Sequence, residues 1–363
     1  MSKLCKFLFA QYRLPYPLYV SGADKSTYEI ASFLTTNSYD ITCIFCLGFM
    51  SKDDIVKLFQ KRNINFHHIE GGFEFEYIDS IFAKVYYPDY FFKAYFSFLA
   101  LYPDTYIFHY CNDFYLDDNS IHEYDRWKKM FDVGINHICF IRSLGRLSYW
   151  NSLKNKFKFI FANSTFTQEN ILSQWNMKST VILPIPMNSC IADNKSEFHE
   201  YITFFNPITV KGANIVYELI QRNQDRYFMI VLGWQDHIHF PKNSTFHNRV
   251  LFVPSQQNVA EIYSYSRLVL IPSQWQEAFG RIQFEAAMNN IPVCISSVGG
   301  LKYYFSDNGV SVTNFQDVNA WQNAIESLDE PEFYNTCVKN SAKLVRSYSF
   351  ESEMKKFMAT LLT

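Results

Sequence analysis

Short apolar runs with many β-forming residues recur along the chain, and segments of helical periodicity separate them. The first series is KFLFAQ, DITCIFCLGF, INFHHIE, DTYIFHYC, INHICFIR, KFIFANS and TVILPIP. After the polar stretch NSCIADNKSEFHE, a second series follows: YITFFNP, YFMIVLGW, VLFVPS, LVLIPS, IPVCISS and GVSVTN. Strands that alternate with helices form parallel sheets covered on both faces, so this pattern predicts two doubly wound α/β domains.

The length of 363 residues also favours two domains, each with its own core. We predict Rossmann-like domains at residues 1–186 and 187–345, and a C-terminal helix at 346–363 that packs back on the first domain. Open parallel sheets bind ligands at the carboxyl ends of their strands. The ligand is therefore expected in a cleft across which the two sheets face each other.

Charge and hydropathy exclude several classes of protein. The formal net charge is -2, without a polybasic tail or an acidic run, so no nucleic-acid partner is expected. The start MSKLCKFLFAQYR lacks the features of a signal peptide, and no run of eighteen apolar residues occurs. These features predict a cytoplasmic protein whose eight cysteines are reduced and buried.

Aromatic residues are abundant, with 36 Phe and 25 Tyr, and they are densest between residues 86 and 108. Two adjacent stripes at helical spacing lie in this segment, Phe91–Tyr95–Phe98 and Phe92–Phe96–Leu99. They indicate a helix buried over a wide face. The alternative is a surface that docks on a membrane or a lipid-linked acceptor, which would place the protein at the inner face of the membrane.

Two glutamates, Glu277 and Glu285, stand in the stretch SQWQEAFGRIQFEAAMNN, where a strand ends, a polar loop follows and a helix begins near Gly280. Backbone amides at such a helix start can hold an anion or sugar hydroxyls. The simpler alternative places Glu277 at an exposed helix terminus and Glu285 on a solvated face.

The segment PSQWQEAFGRIQFEAAMNNIPVCISSVGGL resembles the donor-site signature of family-4 retaining glycosyltransferases of the GT-B group. In that signature a Glu, seven residues and a second Glu precede a Gly-Gly loop. The stretches VSGADKSTYEIASFL, KFIFANSTFTQENI, FFNPITVKGANIVYELI and NVAEIYSYSRLVLIPS resemble further parts of the same fold in the same order. The resemblance implies the GT-B fold, in which two Rossmann-like domains face each other across a cleft.

The resemblance implies a role for each matching residue. Glu277 is expected to bind hydroxyls of the donor sugar, Glu285 the ribose of the nucleotide and Lys211 the diphosphate. Glu277 and Lys211 are the predicted catalytic residues. The chemistry is suitable, since carboxylates accept hydrogen bonds from hydroxyls and an ammonium neutralises charge on a departing diphosphate.

The other implied donor contacts are Gly22, which closes over the phosphates, and Asn206, Ala278, Phe279, Gly280 and Arg281. Asn206 stands where many relatives carry a basic residue, which leaves Arg281 as an alternative source of the second cation. Arg142 stands where relatives commonly carry a histidine and is a candidate on the acceptor side. His109, at the end of its strand, either contacts the acceptor or the donor, or is a core histidine, and it is the second candidate on the acceptor side.

No metal site is predicted. The acidic pair Asp117 and Asp118 fits a polar loop, and His67 with His68 and His237 with His239 lack a third ligand at a suitable spacing. The resemblance likewise implies a metal-independent enzyme that has a nucleotide diphosphate sugar as co-substrate and no cofactor.

The implied function is retaining transfer of a hexose from a nucleotide diphosphate sugar to a hydroxyl of a glycan or lipid-linked acceptor, in polysaccharide or glycoconjugate biosynthesis. Peripheral membrane association stays open. One alternative is a nucleotide-sugar epimerase on the same fold, which would act without an acceptor. The other is a non-catalytic subunit that binds nucleotide sugars.

Overall fold

The computed structural model describes residues 6–11, 14–15, 18, 22–47, 50–111, 128–141, 151–233, 238–242, 244–255 and 258–363. The chain divides into two units: unit 1 is Met1–Ile182 with Lys356–Thr363, and unit 2 is Leu183–Lys355. The first change of unit thus falls after Ile182 rather than after residue 186. The second falls inside the last helix rather than before it.

Unit 1 is built on one sheet with helices between its strands. The strands are β1 (Lys6–Gln11), β2 (Asp40–Cys46), β3 (Phe66–Ile69), β4 (Gly72–Ile78), β5 (Ile81–Tyr86), β6 (Tyr106–Cys111), β7 (Asn136–Ile141), β8 (Phe159–Ala162) and β9 (Thr180–Val181). The described helices of this part of the chain are α1 (Gly22–Thr36), α2 (Lys52–Lys61), α3 (Pro88–Leu101) and α4 (Thr165–Trp175).

The strand order of unit 1 is β3-β4-β5-β2-β1-β6-β7-β8-β9. The pairs from β5 through β9 are parallel, as predicted, but β3–β4 and β4–β5 are antiparallel. The hairpin strands β4 and β5 were absent from the predicted series, and β3 was expected to be parallel. Two-residue connections impose the antiparallel arrangement, and Asp79 and Ser80 in the β4–β5 turn both have positive φ angles, of 31° and 72°.

The aromatic segment forms α3, which begins with Pro88 in its first turn. Phe91, Phe92, Tyr95 and Leu99 are buried, and the Tyr95 hydroxyl donates a 2.9 Å hydrogen bond to the backbone oxygen of Met130. This packing agrees with the core interpretation of the stripes. No helix in the described ranges is both long and apolar enough to cross a membrane.

Unit 2 is a second α/β unit. Its strands are β10 (Tyr201–Phe205), β11 (Phe228–Val231), β12 (Val250–Val253), β13 (Ser266–Ile271), β14 (Val293–Ser296) and β15 (Gly309–Val312). Its helices are α5 (Ala213–Arg222), α6 (Ala260–Tyr265), α7 (Arg281–Met288), α8 (Gly299–Tyr303), α9 (Val318–Ser327) and α10 (Pro331–Ser347), followed by α11 (Phe350–Leu361), which continues into unit 1.

All strands of this second sheet pair in parallel, in the order β12-β11-β10-β13-β14-β15. The chain order reverses between the neighbours β10 and β13. In doubly wound sheets a ligand binds outside the carboxyl ends of the strands at such a switch point. A ligand site is therefore expected in the loops that follow β10 and β13.

Candidate functional site

The loop after β10 contacts the loop after β13. The backbone nitrogen of Gln274 donates a 2.8 Å hydrogen bond to the backbone oxygen of Val210. Gly212 has a φ of +90°, and a Cβ atom there would lie 2.2 Å from the backbone oxygen of Pro272. Only glycine permits this approach, so the sequence Lys211-Gly212 brings the lysine beside the second loop.

At this junction Lys211 forms an ion pair with Glu277. The side chains are 23% and 13% exposed, respectively. The Ser273 hydroxyl donates a 2.6 Å hydrogen bond to the same Oε1 atom of Glu277. The Lys211 Nζ atom also lies 4.9 Å from the ring centroid of Trp275, a residue that is 45% exposed. A cation, a carboxylate, a hydroxyl and an indole thus meet at one point.

The electrostatics of this cluster keep Glu277 ionised. Burial on its own would raise the pKa of the carboxyl, but the charge of Lys211 and hydrogen bonds from Lys211, Ser273 and Trp275 hold that pKa below its ordinary value. An ionised carboxylate accepts hydrogen bonds only, which suits a partner that presents hydroxyl donors.

The Gly-Gly pair at the start of α8 holds the backbone of Glu277. The backbone nitrogen of Gly300 donates a 2.6 Å hydrogen bond to the backbone oxygen of Glu277. A Cβ atom would lie 2.3 Å from that oxygen at Gly299 and 2.3 Å from the backbone oxygen of Ala278 at Gly300. The two glycines are therefore required by close backbone contact.

Glu285 lies inside α7 with both carboxylate oxygens engaged. The Arg281 Nε atom donates to Oε1 and the Tyr263 hydroxyl to Oε2, each at 2.8 Å. The side chains of Arg281 and Glu285 are both 9% exposed, which excludes the solvated-face alternative for Glu285. Burial first, and then the charge of Glu285, hold the pKa of Tyr263 well above its ordinary value, so its hydroxyl stays a donor.

The start of α7 adds an anion-binding element. Gly280 precedes the helix with a φ of +92° and without a side-chain cap hydrogen bond, and a Cβ atom there would lie 2.3 Å from Leu301. Amide groups in the first turn of a helix favour negative charge. Lys211 and this helix start can together stabilise a diphosphate, while Glu277 and Glu285 can accept hydroxyl hydrogens.

The remaining predicted donor residues lie as follows. Phe279 is 4% exposed and stacks on Phe284 at 4.8 Å, so its ring belongs to the core and only its backbone is available to a ligand. Ala278 is partly buried, and Gly22 is the first residue of α1. Asn206 follows β10 with a φ of 59°, and its Oδ1 atom would lie 2.3 Å from a Cβ atom at Gly233.

His109 lies in the aromatic core of unit 1. It is 3% exposed, its Nε2 atom lies 2.8 Å from Nδ1 of His137, and its ring centroid is 4.4 Å from that of Phe131. Burial, followed by the proximity of His137, lowers the pKa of His109, and burial lowers the pKa of His137 to about 4. This environment favours the core-histidine interpretation over acceptor contact.

The remaining candidates are the acceptor-side arginine and the residues considered for a metal site. Arg142, Asp117, Asp118 and His237 are outside the described residues. His239 lies beside the loop of Lys211, where its Nδ1 atom is 3.3 Å from the backbone nitrogen of Thr209. Within the parts of the chain that the structure describes, no three His, Cys, Asp or Glu residues come together as they would to hold a metal ion.

Sequence patterns did not single out Ser273, Trp275 or Tyr263. Ser273 and Trp275 belong to the quoted loop, but an irregular loop has no periodicity from which side-chain contacts follow. A large aromatic residue among polar neighbours was the available signal for Trp275. Tyr263 is 22 residues from Glu285, and only tertiary packing joins them.

A family model matches the part of the chain that contains the site. Residues 201–344 match the family model described as Glycosyl transferases group 1, and this range contains Lys211, Glu277, Arg281 and Glu285. Among curated proteins, no sequence matches the chain significantly.

Solved structures of similar fold cover almost the whole chain. HepE from Anabaena in complex with UDP and glucose aligns with a TM-score of 0.71 and 16% sequence identity, over 98% of this chain and 99% of the HepE chain. The complex of HepE with UDP-glucose has a TM-score of 0.69 and 15% identity over the same fractions of both chains. Sucrose-phosphate synthase from Thermosynechococcus elongatus gives 0.68, and a glycosyltransferase from Rickettsia africae ESF-5 gives 0.66. Each of these is 15% identical over 98% of both chains. The fold is thus GT-B, with two Rossmann-like domains, as predicted.

Proposed function

We propose that this protein is a retaining glycosyltransferase that moves a hexose from a nucleotide diphosphate sugar to a hydroxyl of a glycan or lipid-linked acceptor. The observation that carries the proposal is the cluster of Lys211 and Glu277 at the switch point of unit 2. It lies within the range that matches group 1 glycosyl transferases. A cation for the diphosphate and an ionised carboxylate for sugar hydroxyls are the two groups that such a donor needs.

In the proposed reaction, the bond between the anomeric carbon and the terminal phosphate oxygen breaks while the acceptor oxygen bonds to that carbon on the same face. The acceptor proton passes to the departing phosphate oxygen, so no enzyme nucleophile is required. Lys211 and the start of α7 stabilise the negative charge that develops on the diphosphate. Glu277 orients the sugar through its hydroxyls, and Glu285 holds the ribose.

UDP-glucose is the first donor to test, because HepE, which shares the fold, is described in complexes with UDP, glucose and UDP-glucose. The protein is mixed with UDP-glucose and a panel of glycan and lipid-linked acceptors, and release of UDP is measured. Other nucleotide sugars follow if UDP-glucose is inert. We expect release only when an acceptor is present, and an α-linked product by NMR of the anomeric proton. A β-linked product would contradict retention.

Two variants and two alternative outcomes sharpen this test. Glu277→Gln is expected to keep the fold and lower turnover by at least about tenfold, because the sugar hydroxyls lose a charged acceptor. Glu332→Gln, at an exposed position of α10, serves as the matched control.

Conversion of the donor without any acceptor would indicate an epimerase. Binding of nucleotide sugars without turnover on any acceptor would indicate a non-catalytic subunit.

A further inference from the structure

Trp275 is both exposed and in contact with the charged pair of the site. It is 45% exposed, although large aromatic side chains in folded domains are mostly buried. It also contacts the charged pair, since the Lys211 ammonium lies 4.9 Å from its ring centroid. The neighbouring Val210 is 41% exposed and is joined to the tryptophan loop by the hydrogen bond from Gln274. Apolar surface thus adjoins the ionised carboxylate of Glu277.

Lys211 divides its single charge between Glu277 and the indole face of Trp275. A nucleoside diphosphate carries more negative charge than one carboxylate, so it attracts the ammonium more strongly. Lysine has a flexible stem, and a small movement of Nζ toward the phosphates would withdraw it from both present partners. That movement would uncover the indole face and would free the acceptor position of Glu277 Oε1 that Lys211 now occupies.

Two contacts that do not involve Lys211 would keep Glu277 in position if the lysine moved. Its Oε1 atom still accepts from the Ser273 hydroxyl at 2.6 Å, and its backbone oxygen still accepts from Gly300 at 2.6 Å. A hexose presents hydroxyls around its edge and C–H groups on its faces. A fixed carboxylate beside an exposed aromatic face matches both surfaces of such a ring.

We propose that Trp275 contacts the sugar ring of the donor, and that the diphosphate exposes this contact by drawing Lys211 away from the indole. The inference rests on the proposed function, because it takes a nucleotide diphosphate sugar as the ligand. It assigns the apolar face of the sugar to Trp275, while Glu277 takes the hydroxyls. The nucleoside diphosphate alone gains nothing from the indole.

The experiment compares two ligands by calorimetry, UDP and UDP-glucose, on wild-type protein and on Trp275→Leu and Trp275→Phe. The wild-type protein is first screened with UDP-glucose, ADP-glucose and GDP-mannose. If it binds one of the other two sugars more tightly than UDP-glucose, that nucleotide sugar and its nucleoside diphosphate are used in place of UDP-glucose and UDP. Trp275→Leu keeps apolar bulk but removes the flat ring, so we expect the sugar-bearing ligand to bind about tenfold more weakly. The affinity for the nucleoside diphosphate should stay within about twofold. Trp275→Phe, which keeps a ring, should lose no more than about threefold.

Phe333→Ala is the matched control, because Phe333 is 38% exposed in α10 of the same unit and lies outside this cluster. It should change neither affinity, and thermal melting should show that all variants fold. An equal loss for both ligands in Trp275→Leu would assign the residue to holding Lys211 and overturn the inference. Unchanged affinities would also overturn it. If wild type binds none of these nucleotides, the proposed function fails and the inference fails with it.

Discussion

The two carboxylates of the α7 region are held in different ways. Glu277 pairs with Lys211, which comes from a loop 66 positions away and borders the exposed Trp275. Glu285 pairs with Arg281 one turn earlier on the same helix and also accepts from Tyr263. The first pair can separate by movement of one flexible side chain, whereas helix geometry and a buried phenol fix the second. We therefore expect Glu277 to exchange partners during binding and Glu285 to act as a fixed acceptor.

The largest effect is expected when the mobile cation is removed. In Lys211→Ala the charge that grows on the departing diphosphate loses its ammonium, which matters more in the transition state than in the ground state. By analogy with loss of one preorganised donor, kcat should fall on the order of a hundredfold, or roughly 3 kcal/mol, with a smaller change in donor affinity. Steady-state kinetics with varied donor measures both.

Lys343→Ala is the matched control, because Lys343 is exposed on α10 and bonds Asn340 rather than a carboxylate. An ordinary kcat in Lys211→Ala would mean that Lys211-Gly212 is only a turn. If Arg281 shares the charge on the diphosphate, the double variant with Arg281 should cost less than the sum of the single variants. Simple additivity would indicate that the two cations act independently.

The fixed carboxylate should matter for nucleotide binding rather than for turnover. Glu285→Gln should weaken UDP binding by about tenfold, since a charge-assisted hydrogen bond to the ribose becomes a neutral one, and kcat should change little. The control is Glu218→Gln, because Glu218 forms an i,i+4 pair with Arg222 at 3.7 Å on the exposed surface of α5. Equal UDP affinity in Glu285→Gln and wild type would remove Glu285 from the nucleotide site.

Tyr263 should have a smaller effect through Glu285. Tyr263→Phe removes the hydroxyl that orients Oε2, and one net hydrogen bond corresponds to roughly a fivefold change in UDP affinity. A positioning role predicts a higher KM at unchanged kcat. Tyr334→Phe is the control, because its hydroxyl donates a 3.0 Å hydrogen bond to the backbone oxygen of Arg267 in the same unit. A similar change in both variants would indicate a general loss of stability.

The smallest effect is expected from removal of metal ions. Neither pair needs a cation other than its own lysine or arginine, and the described residues contain no cluster of three suitable ligands. Excess chelator should therefore leave kcat within about twofold. Complete loss of activity that magnesium or manganese restores would contradict metal independence, and Asp117 and Asp118 would be the first residues to test.

Much of the architecture followed from local patterns. Each apolar run of the two predicted series contains a strand. Most of these strands belong to buried parallel parts of a sheet, where a strand is a continuous apolar run, whereas β3 is an antiparallel edge strand with exposed histidines. The hairpin of β4 and β5 was not predicted, although β4 alternates apolar and acidic residues, which is the usual pattern of a half-buried strand. Phe73, Phe75 and Tyr77 are buried, while Glu74 and Glu76 between them are not. Its turn residues, Asp79 and Ser80, carried the remaining signal.

The sequence by itself determined the chemical types at the site and part of its backbone. Three short motifs are local features that can be read from the sequence alone: the spacing of Glu277, Gly280 and Glu285, the pair Lys211-Gly212, and the pair Gly299-Gly300. Only the tertiary structure decided which side chains contact each other. It placed Lys211 on Glu277 and Trp275, Tyr263 on Glu285, and His109 against His137. Parallel strands that are distant in sequence end at one edge of a sheet, and side-chain contacts there depend on the pairing order of the strands, which periodicity does not encode.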